Sequence, residues 1–156
     1  MKVIRAYADT SVFGGVFDEE YRIASERFFE QIREKQFTVV TSAVVREELM
    51  IAPKRIQNLF TEISKYAEIV DISEDALKLE DAYLSARILP PKYSNDALHV
   101  ALATVSKCEL IVSWNFKHIV HFRKIPLYNK VNLEQGYTQI GIFSPLEVVT
   151  YEEKEI

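Results

Sequence analysis

Short apolar runs alternate along the chain with longer segments in which apolar residues recur every three or four positions. The short runs are typical of buried β-strands, and they occupy residues 3–8, 37–41, 68–72 and 110–113. The longer segments carry charges between their apolar positions, which is typical of amphipathic helices, and the first covers residues 19–35. The pattern therefore predicts alternating strands and helices.

Serines and prolines between these elements give start and stop signals. A serine hydroxyl at a helix start accepts a hydrogen bond from a backbone N–H group of the first turn, so we expect Ser42, Ser73 and Ser94 to cap three helices. The Pro90-Pro91 pair should break the chain between the last two of these helices. These signals make the predicted helices discrete rather than continuous.

The remaining segments complete the predicted element order. Residues 9–11 are polar and are expected to form a turn after the first strand, and Gly14 and Gly15 should keep the next stretch loose. Pro53 should end the helix that Ser42 begins, and residues 54–66 form another amphipathic helix.

Alternation of strands and helices predicts parallel strand pairing, because a parallel connection needs a crossover that a helix usually fills. We therefore expect a three-layer α/β/α fold around a parallel central sheet of four or five strands. The chain has 156 residues, of which 48% are apolar, and this is enough for one hydrophobic core. We expect one domain over residues 1–156, with a core at about 2–128 and a tail at about 129–156.

Charge and cysteine content narrow the class of protein. The net charge of -4 argues against coating of nucleic acid by bulk attraction, although seven basic residues and two acids lie between Arg87 and Lys130. The single cysteine, Cys108, has no partner for a disulfide within the chain, which favours a cytoplasmic protein. No stretch predicts a signal peptide or a membrane span.

Acidic residues fall where a parallel sheet gathers its ligands. Asp9 follows the first predicted strand, Glu48 lies in the helix after the second, Asp96 opens the helix before the fourth, and Asn115 follows that strand. Carboxylates that meet at one edge repel each other unless a cation such as Mg²⁺ or Mn²⁺ neutralises them. The sequence therefore predicts a divalent-metal site.

Four segments that carry these residues also resemble, in order, the signature segments of PIN-domain ribonucleases. They are YADTS, SAVVREEL, NDALHVALA and VSWNFKHI, which begin at Tyr7, Ser42, Asn95 and Val112. The resemblance extends from Lys2 to about residue 128. It implies the PIN-like form of the fold predicted above.

The resemblance also implies roles for individual residues. It assigns Asp9, Glu48 and Asp96 as catalytic, metal-binding acids, with Ser11 and Asn115 as polar support. Glu48 is preferred over its neighbour Glu47 because the family's glutamate precedes a leucine-like residue. The activity implied is endonucleolytic cleavage of RNA with Mg²⁺ or Mn²⁺, in which metal-bound water attacks the phosphodiester.

His118 departs from the family pattern, because many relatives carry a fourth acid there. Three interpretations are open: a metal ligand, a contact to substrate phosphate, or a partly buried histidine packed near Trp114 and Phe122. The other histidines, His99 and His121, are weaker candidates. Trp114 and Phe116 fit packing better than base stacking.

The resemblance further implies the toxin of a toxin–antitoxin pair, with an antitoxin protein and a second copy of the chain as partners. Two alternatives stay open. The missing fourth acid would suit an RNA-binding module with weakened catalysis. A phosphohydrolase with Asp9 as covalent nucleophile is the other, although such enzymes usually carry a second Asp where Ser11 stands.

Overall fold

Five strands form one parallel sheet in the computed structural model, which describes residues 2–151. They are β1 (Ile4–Ala8), β2 (Phe37–Ser42), β3 (Ala67–Val70), β4 (Leu110–Val112) and β5 (Gly141–Phe143). Their order in the sheet is β3-β2-β1-β4-β5, and each neighbouring pair is parallel. The predicted α/β class with a parallel central sheet is confirmed.

Helices cover both faces of this sheet. They are α1 (Thr10–Gly15), α2 (Arg22–Arg33), α3 (Ala43–Leu49), α4 (Lys54–Ile63), α5 (Glu74–Ser85), α6 (Ser94–Val105), α7 (Ile125–Glu134) and α8 (Pro145–Val148). The hydroxyls of Ser42 and Ser73 accept from the backbone N–H groups of Val45 and Ala76, as predicted for N-caps. Ser94 is instead the first helical residue of α6 and makes no cap hydrogen bond.

The largest difference from the predicted elements lies directly after β1. The expected turn and loose stretch are a helix, α1, which begins immediately after Asp9. The carboxylate of Asp9 caps this helix, and its buried residues Val12 and Phe13 enter the core. Burial of those apolar side chains outweighs the low helix propensity of Gly14 and Gly15.

Alternating side chains of the central strands divide the core into two clusters. Tyr7, Val40 and Ile111 point to one face, where they pack against α5, α6 and α7. Ala6 and Ala8 point to the other face, which α1, α2 and α4 cover. Because successive residues of a strand face opposite ways, strands with a helical layer on each side are apolar throughout.

The segment that we expected to form a tail contributes to the sheet. β5 pairs with β4, and α8 packs against α2, so residues up to Val149 contact the central layers. Residues 152–156 of the predicted tail lie outside the described residues. Among residues 2–151, no helix combines the length and the apolar character needed to cross a bilayer.

Candidate functional site

The candidate site lies at the carboxyl edge of the sheet, where the strand order reverses. From β1 the chain proceeds to β2 and β3 on one side, whereas β4 and β5 lie on the other side. Asp9 follows β1 and Ser113 follows β4, so these two residues flank the reversal. A crevice outside the carboxyl ends at such a point is where open parallel sheets bind ligands.

Asp9 is held in place from both of its carboxylate oxygens. Oδ1 accepts from the backbone N of Ser11 at 3.1 Å and from the Ser11 hydroxyl at 2.6 Å. Oδ2 accepts from the Ser113 hydroxyl at 2.5 Å. Burial raises the pKa of Asp9, while the nearby His99 and these hydroxyls oppose the rise. Asp9 is thus a buried, oriented carboxylate whose ionised form is costly.

Glu48 contacts Thr10, the residue that follows Asp9, and within residues 2–151 only one of its carboxylate oxygens is hydrogen-bonded. Its Oε1 accepts from the Thr10 hydroxyl at 2.9 Å and lies 2.6 Å from Nε2 of His99. Burial acts to raise the pKa of Glu48, but the His99 contact and the Thr10 hydrogen bond outweigh it and lower the pKa. Its neighbour Glu47 is exposed. Glu48 is therefore ionised with Oε2 left available.

His99 connects Glu48 to the buried core. Its Nδ1 lies 2.8 Å from the Tyr7 hydroxyl, which lies 2.7 Å from the hydroxyl of Ser42. Burial raises the pKa of Tyr7 well above its usual value, so its phenol keeps the proton. Nε2 of His99 donates to Glu48, because an ionised carboxylate can only accept. His99 therefore links the carboxylate of Glu48 to the hydroxyls of Tyr7 and Ser42.

Asp96 occupies the first turn of α6, three residues before His99, so the two side chains share one face of the helix. Burial lowers the pKa of His118 and the charge of Asp96 opposes this fall, so Asp96 lies near the loop after β4. Within residues 2–151, its carboxylate has neither a hydrogen-bond donor nor an ion-pair partner. Asp96 is the least restrained of the three predicted acids.

The loop after β4 holds the two remaining predicted residues. Oδ1 of Asn115 accepts from the backbone N of His118 at 3.0 Å, so Asn115 shapes the loop rather than contacting Asp9. The His118 ring is buried and stacks on Tyr93 with centroids 4.1 Å apart. Both of its ring nitrogens lack a hydrogen-bond partner. Burial lowers the pKa of His118, so its ring is neutral near neutral pH.

The aromatic residues of this loop have different surroundings. Trp114 is buried, donates from Nε1 to the hydroxyl of Ser25 at 2.8 Å, and stacks on Tyr21. Phe116 is 44% exposed. The packing role predicted for Trp114 agrees with these contacts.

Three contacts of the site were missed at the sequence level. Thr10 and Ser113 each donate to a predicted acid, and His99 pairs with Glu48. A signal for His99 was present, because it lies one helical turn after Asp96 on the same face. No sequence signal connects Ser113 to Asp9, because their contact spans the β1–β4 pairing.

Oxygen-rich chemistry at this edge suits a hard divalent cation. Oε2 of Glu48 and the carboxylate of Asp96 have no partner within residues 2–151, and such oxygens are the ligands that Mg²⁺ and Mn²⁺ prefer. Among the described residues, no three His, Cys, Asp or Glu side chains are close enough together to hold one ion. The types of donor atom fit a divalent cation, but the described residues do not form a complete set of ligands around one position.

The fold is a parallel α/β/α arrangement with the buried acid Asp9 at the point where the strand order reverses. The family model of the PIN domain matches residues 6–119, well over half of the chain. This chain belongs to the PIN domain family. No curated protein sequence is significantly similar to it.

Several solved structures share the fold at low sequence identity. A toxin–antitoxin complex from Klebsiella pneumoniae matches with a TM-score of 0.58 and 19% identity, covering 76% of this chain and 93% of that one. VapBC2 from Rickettsia felis, bound to a promoter DNA fragment, gives 0.60 and 15%, covering 90% and 98%. DNA-bound VapBC from Salmonella typhimurium gives 0.60 and 16%, covering 92% and 99%.

Proposed function

We propose that this protein is an endoribonuclease that uses Mg²⁺ or Mn²⁺ to hydrolyse RNA phosphodiester bonds. Asp9, Glu48 and Asp96 hold the cation, and metal-binding assays with His118 variants decide whether His118 is a fourth ligand. The observation that carries the proposal is that Glu48 accepts from Thr10, the residue next to Asp9, while no lysine or arginine is paired to any of the three acids within residues 2–151. Unneutralised carboxylates at one edge favour a cation.

Each acid contributes differently. The bound cation supplies an activated water and neutralises charge on the departing oxygen. Asp9 is a fixed oxygen donor, because Ser11 and Ser113 hold both of its oxygens. Glu48 offers Oε2 while His99 and Thr10 occupy Oε1. Asp96 can rotate toward the other two acids, because no hydrogen bond from residues 2–151 restrains its side chain.

The proposal extends to partners and place of action. Structures that share the fold include a toxin–antitoxin complex and VapBC bound to DNA. We propose by analogy that this chain is the toxin of such a pair, that an antitoxin protein restrains it, and that it forms a homodimer. An RNA substrate and the single cysteine, Cys108, favour a cytoplasmic location.

Cleavage assays test this function directly. The wild type, Asp9→Asn and Asp96→Asn are incubated with single-stranded and structured RNA in Mg²⁺, in Mn²⁺ and in chelator. We expect metal-dependent fragments from the wild type only, because each Asn variant keeps the side-chain shape and loses a negative charge. Cleavage that persists in either variant or in chelator contradicts the mechanism.

A binding module with weakened catalysis gives a different result. It would retain RNA affinity but produce no fragments in any metal, and its Asn variants would behave like the wild type. The substitution of His118 for a fourth acid motivates this alternative. Measuring RNA affinity alongside cleavage separates the two functions.

A further inference from the structure

Two lysines and two rings form a cluster next to Asp96. The ring of Tyr93 stacks on His118 at 4.1 Å between centroids, with an interplanar angle of 34°. The ammonium groups of Lys92 and Lys117 lie 5.1 Å and 5.2 Å from the centre of the Tyr93 ring. We call Lys92, Tyr93, Lys117 and His118 the lysine–tyrosine shelf. It joins the 3₁₀ turn before α6 to the loop after β4.

The shelf carries positive charge that no acid neutralises. Both Lys92 and Lys117 are exposed, and neither forms an ion pair within residues 2–151. This contrasts with the chain as a whole, whose net charge is -4. Two ammonium groups that form no ion pair and lie over one aromatic ring are suited to single-stranded nucleic acid, which presents phosphates and bases together.

His118 provides an independent sign of a missing ligand. Its side chain is at least nine-tenths buried, and neither Nδ1 nor Nε2 has a hydrogen-bond partner among residues 2–151. A buried polar group without a partner costs about 1–3 kcal/mol, so folded proteins rarely keep one without a reason. Tyr93 is the ring that covers it and is itself only partly buried.

We propose that the lysine–tyrosine shelf binds single-stranded RNA beside the acids. Lys92 and Lys117 contact its phosphates, a base stacks on Tyr93, and His118 donates a hydrogen bond to a phosphate oxygen once the Tyr93 ring turns toward that base. This inference rests on the proposed function, because it supplies the substrate contact of the same site. Tyr93 lies three residues before Asp96, so RNA bound to the shelf would lie near the acids.

Binding without cleavage tests the shelf. The affinity of a fluorescently labelled single-stranded RNA is measured by anisotropy in chelator over a range of salt concentrations. We expect Lys92→Ala and Lys117→Ala each to weaken binding and to lower the salt slope by about 0.7. Lys65→Ala is the matched control, because Lys65 is exposed and lies before β3 at the opposite edge of the sheet. Equal losses in the control and shelf variants overturn the proposal.

Tyr93 separates stacking from simple folding effects. Loss of one base stack weakens binding by about 5- to 150-fold, so Tyr93→Ala should fall in this range while Tyr93→Phe stays near the wild type. Circular dichroism and thermal melting confirm that each variant is folded. Unchanged affinity in a folded Tyr93→Ala protein contradicts the stacking contact.

His118 distinguishes a strand contact from a metal ligand. In chelator, His118→Ala and His118→Gln should both reduce RNA affinity, while Mn²⁺ affinity measured by calorimetry without RNA stays unchanged. The opposite result, normal RNA binding with weaker Mn²⁺ binding, makes His118 a metal ligand and overturns its place in the shelf. Having two variants protects the test against misfolding of one.

The outcomes also distinguish failure of the shelf from failure of the proposed function. If wild-type protein cleaves RNA and the shelf variants bind as tightly as it does, only the shelf is wrong. If the wild type neither cleaves nor binds RNA, the proposed function itself fails. Asp96→Asn provides the positive control, because it should bind RNA in chelator and yield no cleavage in Mn²⁺.

Discussion

The two halves of the candidate site differ in how completely their polar atoms are engaged. Around Asp9 and Glu48, hydroxyls, a backbone N–H and a histidine hold three of the four carboxylate oxygens. Around Asp96 and His118, a carboxylate and two buried ring nitrogens have no hydrogen-bond partner within residues 2–151. One half is fixed before any ligand arrives, and the other half is not.

This difference indicates a division of labour. Fixed oxygen donors lower the cost of binding a cation, because the protein has already oriented them during folding. Unengaged groups instead gain their interactions when the substrate binds. We therefore expect substitutions of Asp9 and Glu48 to lower metal affinity in the protein without RNA, whereas those of Asp96 and His118 should have their main effect when RNA is bound.

Removal of a ligand charge from the fixed half should have the largest effect. We expect Glu48→Gln to reduce Mn²⁺ affinity by more than about 100-fold, above the usual effect of outer partners. Calorimetric titration of the protein without RNA measures this. Glu47→Gln is the control, because Glu47 is exposed and adjacent. Similar losses in both variants would show that general charge, rather than the position of Glu48, governs binding.

Substitution of His99 should have the next largest effect. His99→Leu removes the donor to Glu48 and leaves the Tyr7 hydroxyl without its partner. We expect Mn²⁺ affinity to fall by about 10- to 100-fold, the usual range when a residue that orients a metal ligand is replaced. His99→Gln can still donate to Glu48 and should recover part of this affinity. A folded His99→Leu protein with wild-type Mn²⁺ affinity would contradict the positioning of Glu48 by His99.

Removal of the hydroxyl that holds Oδ2 of Asp9 should have a smaller effect. Ser113→Ala deletes the donor at 2.5 Å but leaves both contacts from Ser11, so we expect at most about a 10-fold loss of Mn²⁺ affinity. Asn115→Ala is the comparison, because its side chain contacts only the His118 backbone. The ranking fails if Asn115→Ala weakens metal binding more than Ser113→Ala.

A change of pH should have the smallest effect, because protonation of Asp9 changes its charge without removing any atom of the side chain. Burial raises the pKa of Asp9 in the folded protein. The folded state therefore holds this proton more tightly than the unfolded chain does. The free energy of unfolding should then fall as pH rises from about 4, the usual pKa of aspartate, through the raised value.

Urea unfolding at several pH values, without divalent metal, checks this direction. Asp9→Asn should lack the contribution, so the difference in stability between the two proteins should change with pH over that interval. Saturating Mn²⁺ should reverse the trend in the wild type, because the cation binds the ionised carboxylate. A constant difference across the interval would mean that Asp9 titrates as it does in the unfolded chain.

Local sequence patterns were sufficient for strands β1 to β4, the caps at Ser42 and Ser73, and the parallel arrangement, but not for β5, which lies in the segment expected to form a tail. They failed at α1, where two glycines and a polar run masked a helix. That helix forms because Val12 and Phe13 pack against α2 and α4, and these contacts are distant along the chain. Among the site residues, the acids followed from their positions at strand ends, whereas His99 and Ser113 did not.

The sequence by itself determined the order of strands β1 to β4 and helices α2 to α6, the apolar runs of these strands, and the acids that follow them. These features depend on residue spacing, which is readable along one chain. Tertiary structure decided that Ser113 holds Asp9 and that His99 rather than a basic residue meets Glu48. The physical reason is that hydrogen bonds between side chains depend on distances of tenths of an ångström, which only the packing of the sheet against its helices sets.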